Sequence, residues 1–75
     1  MEKEIIALIA EVLEVPVEEV SLDSCIGDFP TWDSMGHLSI LQAIQEKYDV
    51  VFAPRERLMA ESVSDIIETV QSKLK

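Results

Sequence analysis

Trp32-Asp33-Ser34-Met35-Gly36 stands between a loop-like stretch, Pro16 to Asp33, and a segment with helical spacing that runs to about Tyr48. Asp33 reads as the N-cap of that segment, its carboxylate accepting from the free backbone N–H groups of the first turn. Ser34 then falls at the first helical position. There the helix dipole and the unsatisfied donors favour a bound or attached phosphate. Gly36 lowers helix propensity by about 1 kcal/mol relative to Ala, and its missing side chain allows another backbone or a cofactor to come close. Taken alone, the pentapeptide is also readable as nothing but a helix start.

Working outward, Ile40, Ile44 and Tyr48 recur at i, i+4, i+8 with Leu41 alongside, which makes a core stripe on the second helix. Val50, Val51 and Phe52 form an apolar connector in preference to a strand, because a single strand would leave its backbone groups unpaired. A short helix is expected over Pro54 to Met59, with Pro54 in its first turn and Leu58 and Met59 facing inward or toward a neighbouring groove. The last helix carries Val63, Ile66, Ile67, Val70 and Leu74, with Ser62 as cap and Asp65 three residues on. Lys73 and Lys75 suit its negative C-terminal end.

Upstream, a first helix runs from about Glu2 to Glu14. Ile5, Leu8, Ile9 and Val12 form its stripe and Ile6 and Leu13 widen it. Pro16 stops it by pushing Val15 out of the α region. The stretch from Pro16 to Asp33 is longer than an unstructured loop in a small domain normally is. Val17, Val20, Leu22, Ile26 and Phe29 are expected to dock it onto the helices, and Pro16 to Val20 to make one helical turn. Its length lets the first two helices run nearly parallel. The expected architecture is all-α: one domain over residues 1–75, a four-helix bundle with three longer helices, a short third helix and a long loop between helices 1 and 2.

The chain has 75 residues, 48% hydrophobic and 28% charged, with 5% aromatics. It can fold into a single core but has no room for a cleft between lobes. Fifteen acids against six bases give a net charge of -9, which argues against nucleic acid and anionic membranes as partners and for a protein with a basic patch. The acidity is regional: between Lys3 and Lys47 there is no Lys or Arg, yet nine Asp and Glu. Cys25 is the one cysteine, expected to be a partly buried structural thiol, and no Cys or His spacing points to zinc. Met1-Glu2-Lys3-Glu4 is no basic leader, and the longest apolar run, Ile5 to Ala10, is far too short to span a membrane. A cytoplasmic location is expected.

With its helix order and its Asp33-Ser34-Met35, the chain resembles the acyl carrier protein family along nearly all its length. The tripeptide is similar to that family's Asp-Ser-Leu/Met attachment motif, whose serine bears a 4′-phosphopantetheine arm transferred from coenzyme A. The resemblance implies that Ser34 is the attachment residue and that Asp33 holds the helix start and presents it. A phosphopantetheinyl transferase would supply the metal and the general base. The chain would then be a carrier and not an enzyme, a monomer holding acyl or aminoacyl groups as thioesters for ligases, acyltransferases and synthases.

The same resemblance puts Met35, Leu38, Glu46, Val51 and Met59 beside the arm or against partner enzymes, with core packing as the other reading of the four apolar ones. His37, one turn after Ser34, reads either as an exposed residue or as a contact to the phosphodiester. Trp32 packs on the loop or shields the root of the arm. The arm is expected to rest in an apolar groove near Val51, Phe52, Leu58 and Met59. Typical fatty-acid carriers have a strongly acidic second helix, whereas this one has Gly36, Ser39 and Gln45 and retains Glu46. That departure points to a dedicated ligase or transferase as partner, and Asp-Ser-Met followed by Gly resembles D-alanyl and other stand-alone carriers of specialised lipid, polysaccharide-modifying, polyketide or peptide-type pathways. The rival reading is a small acidic interaction module with no prosthetic group. A calcium loop fails on the spacing of Asp23, Asp28 and Asp33.

Overall fold

The computed structural model describes residues 2–74; Met1 in the N-terminal reading and Lys75 in the last helix lie outside the described residues. Helix α1, Glu2–Leu13, buries Ile5, Ile9, Ala10 and Leu13, while Leu8 and Val12 are half-buried, so the buried stripe lies one step round from the expected one. The helix stops because Glu14 is left-handed, with φ 59°. The Glu14 N–H bonds the Glu11 carbonyl and the Val15 N–H reaches back to the Ala10 carbonyl, a Schellman closure that satisfies the last carbonyls just ahead of Pro16.

The long connection is ordered. It contains the expected single turn, 3₁₀ in form, at Val17–Glu19. From there it runs along the residues that open the last helix: Ile26 N–H bonds Glu61 O at 2.9 Å, Val63 N–H bonds Ser24 O at 2.9 Å and Ser64 N–H bonds Leu22 O at 3.2 Å. These bonds satisfy the backbone of a segment too short of apolar contacts to be held by burial alone. Of its expected anchors, Val20 is buried and Ile26 and Phe29 are half-buried against the core. Val17 and Leu22 are exposed, a correction. Both lie where the chain is held through its backbone, which leaves the side chains free to face water.

Helix α2, Ser34–Tyr48, buries Ile40, Leu41 and Ile44 and packs against α1. It closes on left-handed Asp49, with the N–H groups of Asp49 and Val50 both directed to the Gln45 carbonyl. Among the described residues no strand forms, only an isolated bridge between Cys25 and Ser62. The Val50 to Phe52 connector alternates buried, exposed, buried, and the Gln45 Oε1 accepts the Phe52 N–H at 2.8 Å.

Helix α3, Pro54–Met59, has no buried residue, so Leu58 and Met59 do not reach the core as the inward reading required. It is held by its ends: Phe52 and Ala60 are buried on either side of it. Glu56 Oε1 takes the Ala53 N–H at 2.8 Å and pairs with Lys73 Nζ at 2.7 Å, which ties α3 to α4. Helix α4, Val63–Leu74, buries Val63, Ile66, Ile67 and Val70. Its cap is as expected, with Ser62 Oγ accepting the Asp65 N–H at 3.2 Å. Leu74 is exposed, contrary to the stripe reading, because it sits in the terminal turn beyond the last packed neighbour.

Candidate functional site

The head of α2 is built from both sides of the helix boundary. Asp33 is extended, and its Oδ1 accepts the Gly36 N–H at 2.9 Å while its carbonyl accepts the His37 N–H at 2.8 Å. The approach to the cap is fixed by Thr31, whose Oγ1 donates to the Leu13 carbonyl at 2.8 Å across to the end of α1. A Cβ on Gly36 would collide with the Thr31 carbonyl oxygen. Of the two visitors that a glycine here admits, the backbone is the one present.

Ser34 is the first residue of α2 and is exposed. Its N–H and that of Met35 have no partner within the helix, so the hydroxyl stands where an anionic substituent is stabilised by dipole and donors together. Among the described residues no side chain hydrogen-bonds this hydroxyl, so activation of it falls to an external base. Met35, 78% exposed, and Leu38, 55% exposed, flank it, which settles Leu38 as a surface residue. Glu46 is exposed too, but it lies about 18 Å along the axis from Ser34 at 1.5 Å per residue and is not part of this cluster.

His37 corrects the expectation of an exposed residue: it is 7% exposed. Its position decides this, because 37, 40, 41 and 44 share one helical face, and the polar side chain is carried inward with Ile40, Leu41 and Ile44. The Trp32 Nε1–H donates to His37 Nδ1 at 3.0 Å, and the two rings lie 23° from parallel with centroids 6.2 Å apart. Trp32 is fully buried, the packing reading of the two offered for it. The other ring nitrogen of His37, Nε2, is buried without a partner among the described residues. An unsatisfied buried donor costs about 1–3 kcal/mol.

A cleft of about 480 Å³ opens beside Ser34. Ser34, His37 and Leu38 form one wall, Pro54, Arg57 and Leu58 of α3 another, and Ile26 and Glu61 close the end. This corrects the expected groove. Leu58 belongs to it, but Phe52 is in the core, and Val51 and Met59 are exposed elsewhere. Arg57, Ile26 and Glu61 were missed because three separate elements bring them to Ser34; Arg57 alone carried a signal, as one of the few cations in the chain. Cys25 is half-buried, its Sγ 3.6 Å from Asp28 Oδ1, and burial followed by the Asp28 charge pushes its thiol up from the usual range. Among the described residues no group of His, Cys, Asp and Glu has the arrangement of a metal site, and no helix is long and apolar enough to cross a membrane.

Residues 3–70 match the family described as phosphopantetheine attachment site. Comparison with curated proteins gives no match. With nearly the whole chain matched, the chain belongs to this phosphopantetheine attachment family, whose acyl-carrier-type helical bundle it shares. Members attach 4′-phosphopantetheine covalently to a serine and work as carriers, not as enzymes. They are served by a phosphopantetheinyl transferase and used by synthases and transferases.

Proposed function

We propose that Ser34 is the serine that carries the arm and that the chain is a carrier unit for a specialised acyl or aminoacyl pathway. The observation that carries this reading is the exposed Ser34 hydroxyl at the capped start of α2, open to a cleft. The other serines fit less well. Ser24 is buried, Ser21 lies within 3.4 Å of it, Ser62 and Ser64 are engaged with each other, and Ser39 and Ser72 lie inside helices. The arm ends in a thiol that holds its cargo as a thioester, and tethering raises the cargo's effective concentration at each enzyme.

The chain's own residues orient and present. Asp33 fixes the first turn, Gly36 lets Thr31 close against it, and Met35 and Leu38 offer apolar contact beside the attachment point. Glu46 is the single acid of α2, so docking on this helix relies less on charge than on these apolar groups, and a dedicated ligase or transferase is the partner we infer. The free Cys25 thiol fits a reducing compartment such as the cytoplasm.

Intact mass after incubation with coenzyme A and a promiscuous phosphopantetheinyl transferase tests the assignment. Wild type gains one phosphopantetheine and Ser34→Ala gains none. A gain in the variant overturns the choice of Ser34, and no gain in either overturns the carrier reading.

A further inference from the structure

Against a net charge of -9, both arginines of the chain, Arg55 and Arg57, lie two residues apart on α3. The single acid of that helix does not offset them. Glu56 is committed to the fold, where its Oε1 accepts the Ala53 N–H and pairs with Lys73. Both arginines are exposed, and neither takes part in an ion pair or a side-chain hydrogen bond among the described residues. At 3.6 residues per turn, positions 55 and 57 point about 200° apart. Arg55 lines a cleft of about 260 Å³ against α4, where Asp65 and Glu68 share its surroundings. Arg57 turns toward α2. It borders both the cleft that holds Ser34 and a neighbouring one of about 310 Å³ walled by Leu38, Leu41, Gln42 and Gln45. On this side its polar neighbours are a serine, a buried histidine and two amides, and Glu61 at the end of the cleft is the one acid.

An enzyme that acts on the Ser34 hydroxyl has to cover what stands next to it. Met35, Leu38 and Leu58 are 78%, 55% and 76% exposed there, with Arg57 beside the two leucines. Closing an apolar contact over these side chains strips water from the guanidinium, and a desolvated charge without a partner is strongly unfavourable. No acid of the chain is paired with it, so the incoming surface has to supply one. A carboxylate matches a guanidinium best, because the two meet in a bidentate fork. We propose that Arg57 is a docking residue: the phosphopantetheinyl transferase that modifies Ser34 seats an apolar surface on Met35, Leu38 and Leu58 and directs a carboxylate to Arg57. The transferase is the occupant because it is the enzyme that meets this face while Ser34 is still bare. The partner is thus acidic at the point of contact, the opposite of the basic patch that the overall charge of the chain calls for. The assignment deepens the proposed function and rests on Ser34 as the attachment residue.

The test is the rate of phosphopantetheine transfer from coenzyme A by a promiscuous transferase, followed by intact mass over a range of carrier concentrations. Arg57→Glu is expected to raise KM for the carrier roughly ten- to thirtyfold, the low end of what a carboxylate left without its partner loses, with kcat within about twofold. Arg57→Lys keeps the charge but not the fork and falls between the two. Arg55→Glu, on the other side of α3, stays within about twofold of wild type. The ratio of the Arg57→Glu and wild-type KM values shrinks as salt is added, since screening weakens attraction and repulsion alike. Reversing the charge of one transferase carboxylate restores Arg57→Glu and identifies the partner group. The Arg57 side chain holds nothing in the fold, and Arg57→Gln shows the same direction of change without adding an acid to α3. An unchanged or lower KM for Arg57→Glu overturns the proposal, as does an equal loss in Arg55→Glu. In a Glu61→Gln background the Arg57→Glu loss should persist; its disappearance assigns the pairing to Glu61 and also overturns the proposal. A failure of the attachment reading is seen separately, as no mass gain in wild type at any concentration, and it removes the docking proposal with it.

Discussion

The Thr31 carbonyl oxygen occupies the space that a side chain on Gly36 would need. Thr31 is not free to withdraw, because its hydroxyl is bonded to the Leu13 carbonyl at the end of α1. Alanine at 36 would gain about 1 kcal/mol of helix propensity, but it must push a tethered backbone aside, and overpacking of that kind costs about 1–3 kcal/mol. Gly36→Ala is therefore expected to lower unfolding free energy in urea titration. A stabilised variant would show that the close approach is absent.

The side chain of Asp33 acts on α2 through one bond, accepted from the Gly36 N–H. Asp33→Ala should cost about 0.5–2 kcal/mol and speed hydrogen exchange at Gly36, whereas Asp33→Asn, an equally good cap, should stay close to wild type in stability. Equal losses in both variants would mean that the carboxylate charge, and not the cap, holds the helix start.

Much of this architecture was legible because it is local. Asp33 and Ser62 are read as caps from their neighbours alone, and the Ile40, Ile44 spacing locates the buried face of α2. His37 lies on that same face at i-3 from Ile40, so its burial was present in the spacing and was hidden only by its polarity. What was not legible is tertiary. The cleft joins Ser34 to Arg57 and Glu61, and no period links residues so far apart. The exposure of Val17 and Leu22 follows from backbone bonds in a non-repeating segment, where apolar identity says little about direction.

Glu56 makes α3 and α4 sensitive to acid. Its hydrogen bond from Lys73, then that from the Ala53 N–H, hold its carboxyl below the ordinary 4.5, with burial opposing. A carboxyl depressed on folding adds stability at pH above its unfolded value and loses it as pH falls through the lower folded value. Glu56→Gln should thus be less stable than wild type at neutral pH and converge with it in strong acid. The gap will be small, because both partners are partly exposed. A gap that persists unchanged into strong acid would show that the pairing is not its source.

Cys25 should react slowly with iodoacetamide at neutral pH, since burial and the Asp28 carboxylate both disfavour the thiolate that attacks. Urea should speed the reaction, and Asp28→Asn should speed it in the folded chain. Labelling as fast as that of a free thiol in the native protein would contradict the burial and the contact.

Peptide mapping of the holo chain tests the attachment point most directly. Cleavage after Glu gives a fragment from Val20 to Glu46 that contains Ser21, Ser24, Ser34 and Ser39. Tandem mass spectrometry of that fragment should place the phosphopantetheine on Ser34 alone. The same group found on Ser21, Ser24 or Ser39, with Ser34 unmodified, would contradict the account.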